Sequence, residues 1–152
     1  MVEVRSLAGG SPRIRAALLG AEDLAADLCA ERQPDAVKLD YARRRFVLEC
    51  RATAIEPIDA PYTFSDADGA VREARYARRL GYRCKALVRL EHAQPLNAAL
   101  TPSDDEVRRA TEIVQGFEAA RERGEDRALI EGLWVEVSTY RNARASSTGR
   151  VG

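Results

Sequence analysis

Apolar and polar positions alternate along the chain in a way that predicts helices separated by short apolar runs. Residues 3–8 read as the end of a helix, stopped by the turn signal Gly9-Gly10-Ser11-Pro12. The mostly apolar run 14–19 fits a buried parallel strand bounded by Pro12 and Gly20, although periodicity alone does not separate it from a short helix. A helical turn is expected over 24–29. Between 37 and 52, Leu39, Phe46, Val47 and Cys50 fall on an apolar side, with Val37, Tyr41, Arg44, Leu48 and Arg51 on another, which predicts a helix. Residues 54–59 read as a strand ending in an acid. Pro57 suits an edge or a bulge there, because proline removes a ladder donor.

The second half carries stronger punctuation. Ser65-Asp66-Ala67-Asp68 starts a helix, Val71, Ala74, Ala77 and Leu80 repeat at three-residue spacing, and Gly81 ends it. A third strand is expected over 85–90 and a short helical piece over 96–100. Ser103 with Glu106 forms a capping-box pattern that opens a helix running to about Arg123, closed by Gly124. Residues 129–137 fit a strand or hairpin arm and 140–145 a last helical turn; 146–152 are expected to fray. Alternating helices and strands predict α/β with a parallel sheet. Only three central strands are present, too few for a closed eight-stranded barrel of about 250 residues.

Composition narrows the reading. At 152 residues a single compact domain is expected. Lys+Arg and Asp+Glu are 24 each, so the net charge is zero, which argues against a general nucleic-acid binder. No run approaches the roughly 18–20 apolar residues of a membrane span, and the N-terminus lacks the pattern of a signal peptide. The expected compartment is the cytoplasm. Cys29, Cys50 and Cys84 have no CxxC spacing and read as thiols, not as a disulfide or zinc framework.

Asp23 is the most informative carboxylate. It lies just past a predicted parallel strand, where α/β enzymes place ligands, and its oxygens suit a hard cation such as Mg²⁺. The competing reading is a helix N-cap before Leu24. Asp59, also after a strand, is either on the same face or a turn former before Pro61. His92, the lone histidine, reads as a surface loop residue, with general-base work as the alternative. Arg43-Arg44-Arg45 reads as a solvated helix face, and Trp134 as packing. No GxSxG, P-loop or GxGxxG motif is present.

Residues 18–28, Leu-Leu-Gly-Ala-Glu-Asp-Leu-Ala-Ala-Asp-Leu, resemble the HpcH/HpaI aldolase and citrate lyase family, nearest its citrate lyase beta subunit-like group. The likeness continues in Tyr41-Ala42-Arg43, in 54–61, in Leu80-Gly81-Tyr82 with Lys85, in 97–103 and in 132–143. It spans about 4–145 and covers only the C-terminal part of the family's barrel.

The resemblance implies a partial (β/α)8 TIM barrel, roughly its last three βα units, plus a C-terminal extension. Residues 1–102 would be the partial barrel, 103–145 the C-terminal helix and extension, and 146–152 a disordered tail. It implies Mg²⁺ as cofactor with Asp23 as a metal ligand. Gly20, Ala21, Glu22 and Asp59 would be substrate-binding residues and Glu136 the catalytic acid, reaching a neighbouring subunit where relatives have aspartate. The implied chemistry is carbon–carbon bond cleavage or formation in citryl-, malyl- or related acyl-CoA thioesters or in 2-keto acids. The partner glutamate ligand and the acid-gripping arginine would fall before Met1, and Arg89 stands where the family has histidine, so low activity of the chain by itself is expected. The alternative is a non-catalytic α/β module that oligomerises or completes itself with an N-terminal partner chain, because half a barrel leaves open sheet edges. Neither nucleic acid nor membrane is an expected partner.

Overall fold

The computed structural model describes residues 4–31, 33–35 and 37–148. The expectations for residues 1–3 and 149–152 lie outside the described residues. The chain divides into two units, Met1–Leu100 and Thr101–Gly152.

The first unit is α/β. Its order is α1 (Val4–Ala8), β1 (Ala16–Leu18), α2 (Ala21–Asp27), a 3₁₀ turn Val37–Leu39, α3 (Asp40–Ala52), β2 (Glu56–Asp59), α4 (Ala67–Leu80), β3 (Cys84–Lys85), a second 3₁₀ turn and α5 (Ala93–Leu100). The strands form one sheet in the order β1-β2-β3, all parallel, with Ala16 opposite Glu56 and Ile58 opposite Cys84. Parallel neighbours need crossover connections, which α2 with α3 and then α4 supply.

Each strand is shorter than the pattern predicts, and β1 is not buried. It is an edge strand with Leu18 exposed, since only β2 pairs with it among the described residues. Pro57 lies in the central strand, not at an edge. On the β1 side Glu56 N donates to Arg15 O at 2.9 Å and Leu19 N to Ile58 O at 3.2 Å. On the other side pairing starts only at Ile58, so the residue without a donor precedes the ladder. β3 ends at Lys85, and Leu87, Val88 and Leu90, expected in that strand, are exposed.

The helix signals around α4 fold as expected. Asp66 caps it by accepting from Gly69 N at 2.6 Å, and Gly81 ends it with φ +105°. Ala70, Ala74 and Ala77 line its inner face and are fully buried. Such small residues let α4 approach Tyr62 and Leu96 on one side and Val47 and Tyr82 on another.

The second unit holds α6 (Asp104–Glu122), β4 (Ala128–Ile130), β5 (Leu133–Val135) and α7 (Val137–Ser147). Ser103 and Glu106 make the reciprocal capping box. β4 and β5 form an antiparallel hairpin whose two loop residues, Glu131 and Gly132, have φ +49° and +79°, the signature of a type I′ turn. Phe117, Ala120, Ala128 and Val135 form its core, with Tyr140 stacked on Phe117 at 5.0 Å. α7 extends through Ser146 and Ser147, the start of the segment expected to fray. Trp134, expected as packing, is 55% exposed, with the Arg127 guanidinium 4.6 Å above its ring.

Candidate functional site

The strand–helix turn at the end of β1 builds the site. Leu19 N closes the ladder on Ile58 O, Ala21 N turns back to Leu19 O at 2.9 Å, and α2 begins at once. Its N-cap is Gly20, without a side-chain cap bond, so Asp23 is not the cap but a first-turn residue. The reading of Asp23 as a helix cap is therefore corrected. Asp23 is exposed and faces a cavity of about 460 Å³ that Gly20, Leu24, Asp27, Arg45 and Phe46 also line. That volume is in the range of small-molecule sites. Arg45 donates to Glu49 Oε1 at 2.6 Å, while Val4 N donates to Glu49 Oε2 at 3.0 Å. These contacts, Arg45 first, hold the Glu49 carboxyl below its ordinary value.

The same turn separates two environments. Ala21 and Glu22 line a second, smaller cavity together with Lys38, Arg43, Thr63 and Glu73. It encloses about 30 Å³, enough for one water molecule. Thr63 Oγ1 donates to Glu22 Oε1 across it at 3.2 Å. The residues expected to contact substrate are thus divided: Gly20 sits with Asp23 at the large cavity, Ala21 and Glu22 at the small one.

Asp59, next along the chain from Ala60 in the lining of the small cavity, is fully buried. Arg43 donates to it twice, from Nε to Oδ1 at 3.0 Å and from Nη2 to Oδ2 at 2.8 Å. Lys85 Nζ donates to Asp59 Oδ2 at 2.7 Å, to Ala60 O at 2.6 Å and to Glu73 Oε2 at 3.4 Å. Arg43 Nη1 reaches Glu73 Oε1 at 3.5 Å. Two cations and two anions therefore neutralise one another at the end of β2. Burial by itself would lower the Arg43 guanidinium, but the Asp59 charge and hydrogen bonds outweigh it and hold it above its ordinary value. Tyr82 locks the same helix by donating from its hydroxyl to Arg43 O at 2.8 Å.

Arg43 corrects the reading of 43–45 as a solvated face, for its side chain is 2% exposed. Its position carried a signal: Leu39, the N-cap of α3, and Arg43, Val47 and Cys50 within the helix share one buried stripe. Arg44 and Arg45 remain on the surface, paired with Asp40 and Glu49. His92 is also not a surface residue. It is 1% exposed, with Nε2 3.3 Å from Ser65 O and its ring 6.3 Å from that of Tyr62. Glu136, in the second unit, is exposed at the N-cap of α7 and makes no cap bond through its side chain.

Asp23 and Asp27, one turn apart, offer hard oxygen atoms to the large cavity. Among the described residues no three His, Cys, Asp or Glu side chains come together to hold a metal ion. No described helix is long and apolar enough to cross a membrane.

Comparison with known proteins bears on this geometry. Residues 1–89 match the family model of HpcH/HpaI aldolase/citrate lyase. The L-malyl-CoA/beta-methylmalyl-CoA lyase of Cereibacter sphaeroides is 30% identical over 94% of this chain and 51% of its own length. The citrate lyase subunit beta of Leuconostoc mesenteroides subsp. cremoris is 28% identical over 90% of this chain and 45% of its own. CitE from Mycobacterium tuberculosis, solved in complex with magnesium, acetoacetate and coenzyme A, superimposes with a TM-score of 0.71 at 22% identity, covering 87% of this chain and 50% of that one. The chain spans about half the length of the relatives it matches.

Proposed function

The chain belongs to the HpcH/HpaI aldolase/citrate lyase family, and from that premise we propose that it supplies the C-terminal βα units and extension of a (β/α)8 carbon–carbon lyase. Its substrates would be malyl-, citramalyl- or citryl-type CoA thioesters, or related 2-keto acids. The observation that carries the reading is Asp23, the third residue of α2, in the helical turn that follows a parallel strand, and open to the large cavity. The malyl-CoA and citrate lyases among its relatives support the substrate class. The magnesium, acetoacetate and coenzyme A held by the mycobacterial relative support cation and ligand.

In this reading Asp23 gives one carboxylate to a divalent cation, with Gly20, Ala21 and Glu22 shaping the turn around it. Such a cation, when bound, supplies Lewis-acid polarisation to the substrate acid. Glu136 serves as the proton donor, presented to a neighbouring subunit. Asp59, sealed by Arg43 and Lys85, supports the site and does not touch substrate. Because the described residues offer an incomplete ligand set, Mg²⁺ should bind the chain weakly and malyl-CoA turnover by the chain alone should be slow. Calorimetric titration with Mg²⁺ tests the assignment. Weak, saturable heat that disappears in Asp23→Asn is expected; binding that survives this substitution would overturn it.

The second reading is a non-catalytic module that pairs its open edges. The exposed β1 edge and the exposed outer face of the β4–β5 hairpin, Leu129 beside Trp134, favour it. Light scattering should then show a dimer or larger assembly, and a stable monomer would count against it.

A further inference from the structure

We propose that the buried Arg43–Asp59–Lys85–Glu73 cluster is a positioning device for Asp23, acting through the residues that follow β2. The proposal rests on the reading of Asp23 as the metal carboxylate, and it assigns positioning roles to Lys85, Asp59 and Thr63.

The path begins at Lys85. All three protons of its ammonium group have acceptors: Asp59, Glu73 and the carbonyl oxygen of Ala60. The last of these is a main-chain group, so the cluster fixes the first residue beyond β2. Arg43 holds both oxygens of Asp59 with a bidentate pair, which stops the carboxylate from following Lys85. Ala60 is thereby held where two elements converge.

Ala60 is itself a seat for α2. It is 6% exposed and belongs to one apolar cluster with Ala21, Ala25 and Leu39. Ala21 and Ala25 are one turn apart and share a face of α2. Asp23 lies about 200° around the helix from Ala21, at about 100° per residue, so it projects from the opposite face, into the large cavity. Movement of Ala60 would therefore roll the helix that carries Asp23. Three residues further on, Thr63 Oγ1 donates to Glu22 Oε1 at 3.2 Å and ties the same segment to the first turn of α2. One apolar seat and one polar strap connect the cluster to the candidate metal carboxylate.

Amide hydrogen exchange by NMR on the full chain tests this without substrate, metal or turnover, so a failed lyase assay leaves its outcome intact. Thr63→Val removes the hydroxyl at nearly constant shape and leaves all four charged side chains of the cluster in place. It should accelerate exchange of the Leu24 and Ala25 amides in α2 by about three- to ten-fold, the effect of losing one net hydrogen bond. The Ala74 amide of α4 should stay at its wild-type rate. Thr63→Ser should restore the slow rates. Lys85→Met, which frees Ala60 O, should speed exchange at Leu24 more than at Ala74. A general loss of stability would instead move both helices together. Leu24 and Ala25 exchanging in Thr63→Val within about two-fold of wild type would overturn the proposal, as would equal acceleration at Ala74. If Lys85→Met does not fold, Thr63→Val and its serine counterpart still decide the matter.

Discussion

Replacing Asp59 by asparagine removes one charge from the neutral cluster and nearly nothing from its volume. In the wild type three charge-assisted hydrogen bonds converge on that carboxylate, from Arg43 twice and Lys85 once. After the substitution two buried cations face only Glu73, which is 12% exposed and sits at longer distances of 3.5 and 3.4 Å. Leaving a buried charge without its partner costs about 3–5 kcal/mol. At about 3 °C per kcal/mol for a chain of this size, the melting temperature should fall by roughly 10–15 °C. Thermal unfolding followed by circular dichroism measures it. Glu91→Gln is the matched control, since it breaks an exposed pair with Arg89 and should cost under about 1 kcal/mol. The double variant Asp59→Asn with Lys85→Met restores neutrality between Arg43 and Glu73 and should be less damaged than the two single losses added together. An Asp59→Asn melt no lower than that of Glu91→Gln would show that the cluster does not behave as a buried charge network.

Other outcomes follow from the same structure. Asp40 and Asp66 are held below the ordinary aspartate value of 3.8, chiefly by the hydroxyls of Tyr76 and Tyr62 respectively. Their stabilisation is present above that value and is lost as the pH falls through their lower folded values. Melts taken down through this acid range should show the loss, and Tyr76→Phe should flatten the Asp40 share of it. Burial, with Asp66, pushes the Tyr62 hydroxyl up to about 12 from 10.0, so its stabilisation should fade as the pH rises between those values. Gly69→Ala would ordinarily gain about 1 kcal/mol in a helix. Here a methyl group would overlap the Tyr62 hydroxyl and crowd Asp66 Oδ1, so the melt should shift down, not up. With a disulfide reagent, exposed Cys29 should react first and half-buried Cys84 more slowly. Cys50, buried and with its thiol pushed up to about 11, should react only on unfolding.

What could be read from the residues alone depended on how local its cause was. The capping box at Ser103 and the α4 limits at Asp66 and Gly81 act within one turn, so their sequence pattern and their structure coincide. Strand lengths did not, because a parallel strand persists only as far as its neighbour pairs with it. Leu87, Val88 and Leu90 have apolar strand composition but leave the sheet after Lys85. The motif around Asp23 located its turn, yet the motif does not show that Gly20 and Asp23 face one cavity while Ala21 and Glu22 face another. Ala60, brought from the end of β2, packs against Ala21 and lines the second of these cavities. Arg43 was obscured for a related reason. In a run of three arginines charge suggests solvent, and only the carboxylates of Asp59 and Glu73, 16 and 30 residues further along, make burial tolerable. The spacing of Leu39, Arg43 and Val47 already placed that arginine on the inward stripe of α3. A charged residue on an apolar stripe implies an opposite charge elsewhere in the core. The acid ending a predicted strand, Asp59, is a candidate for that partner.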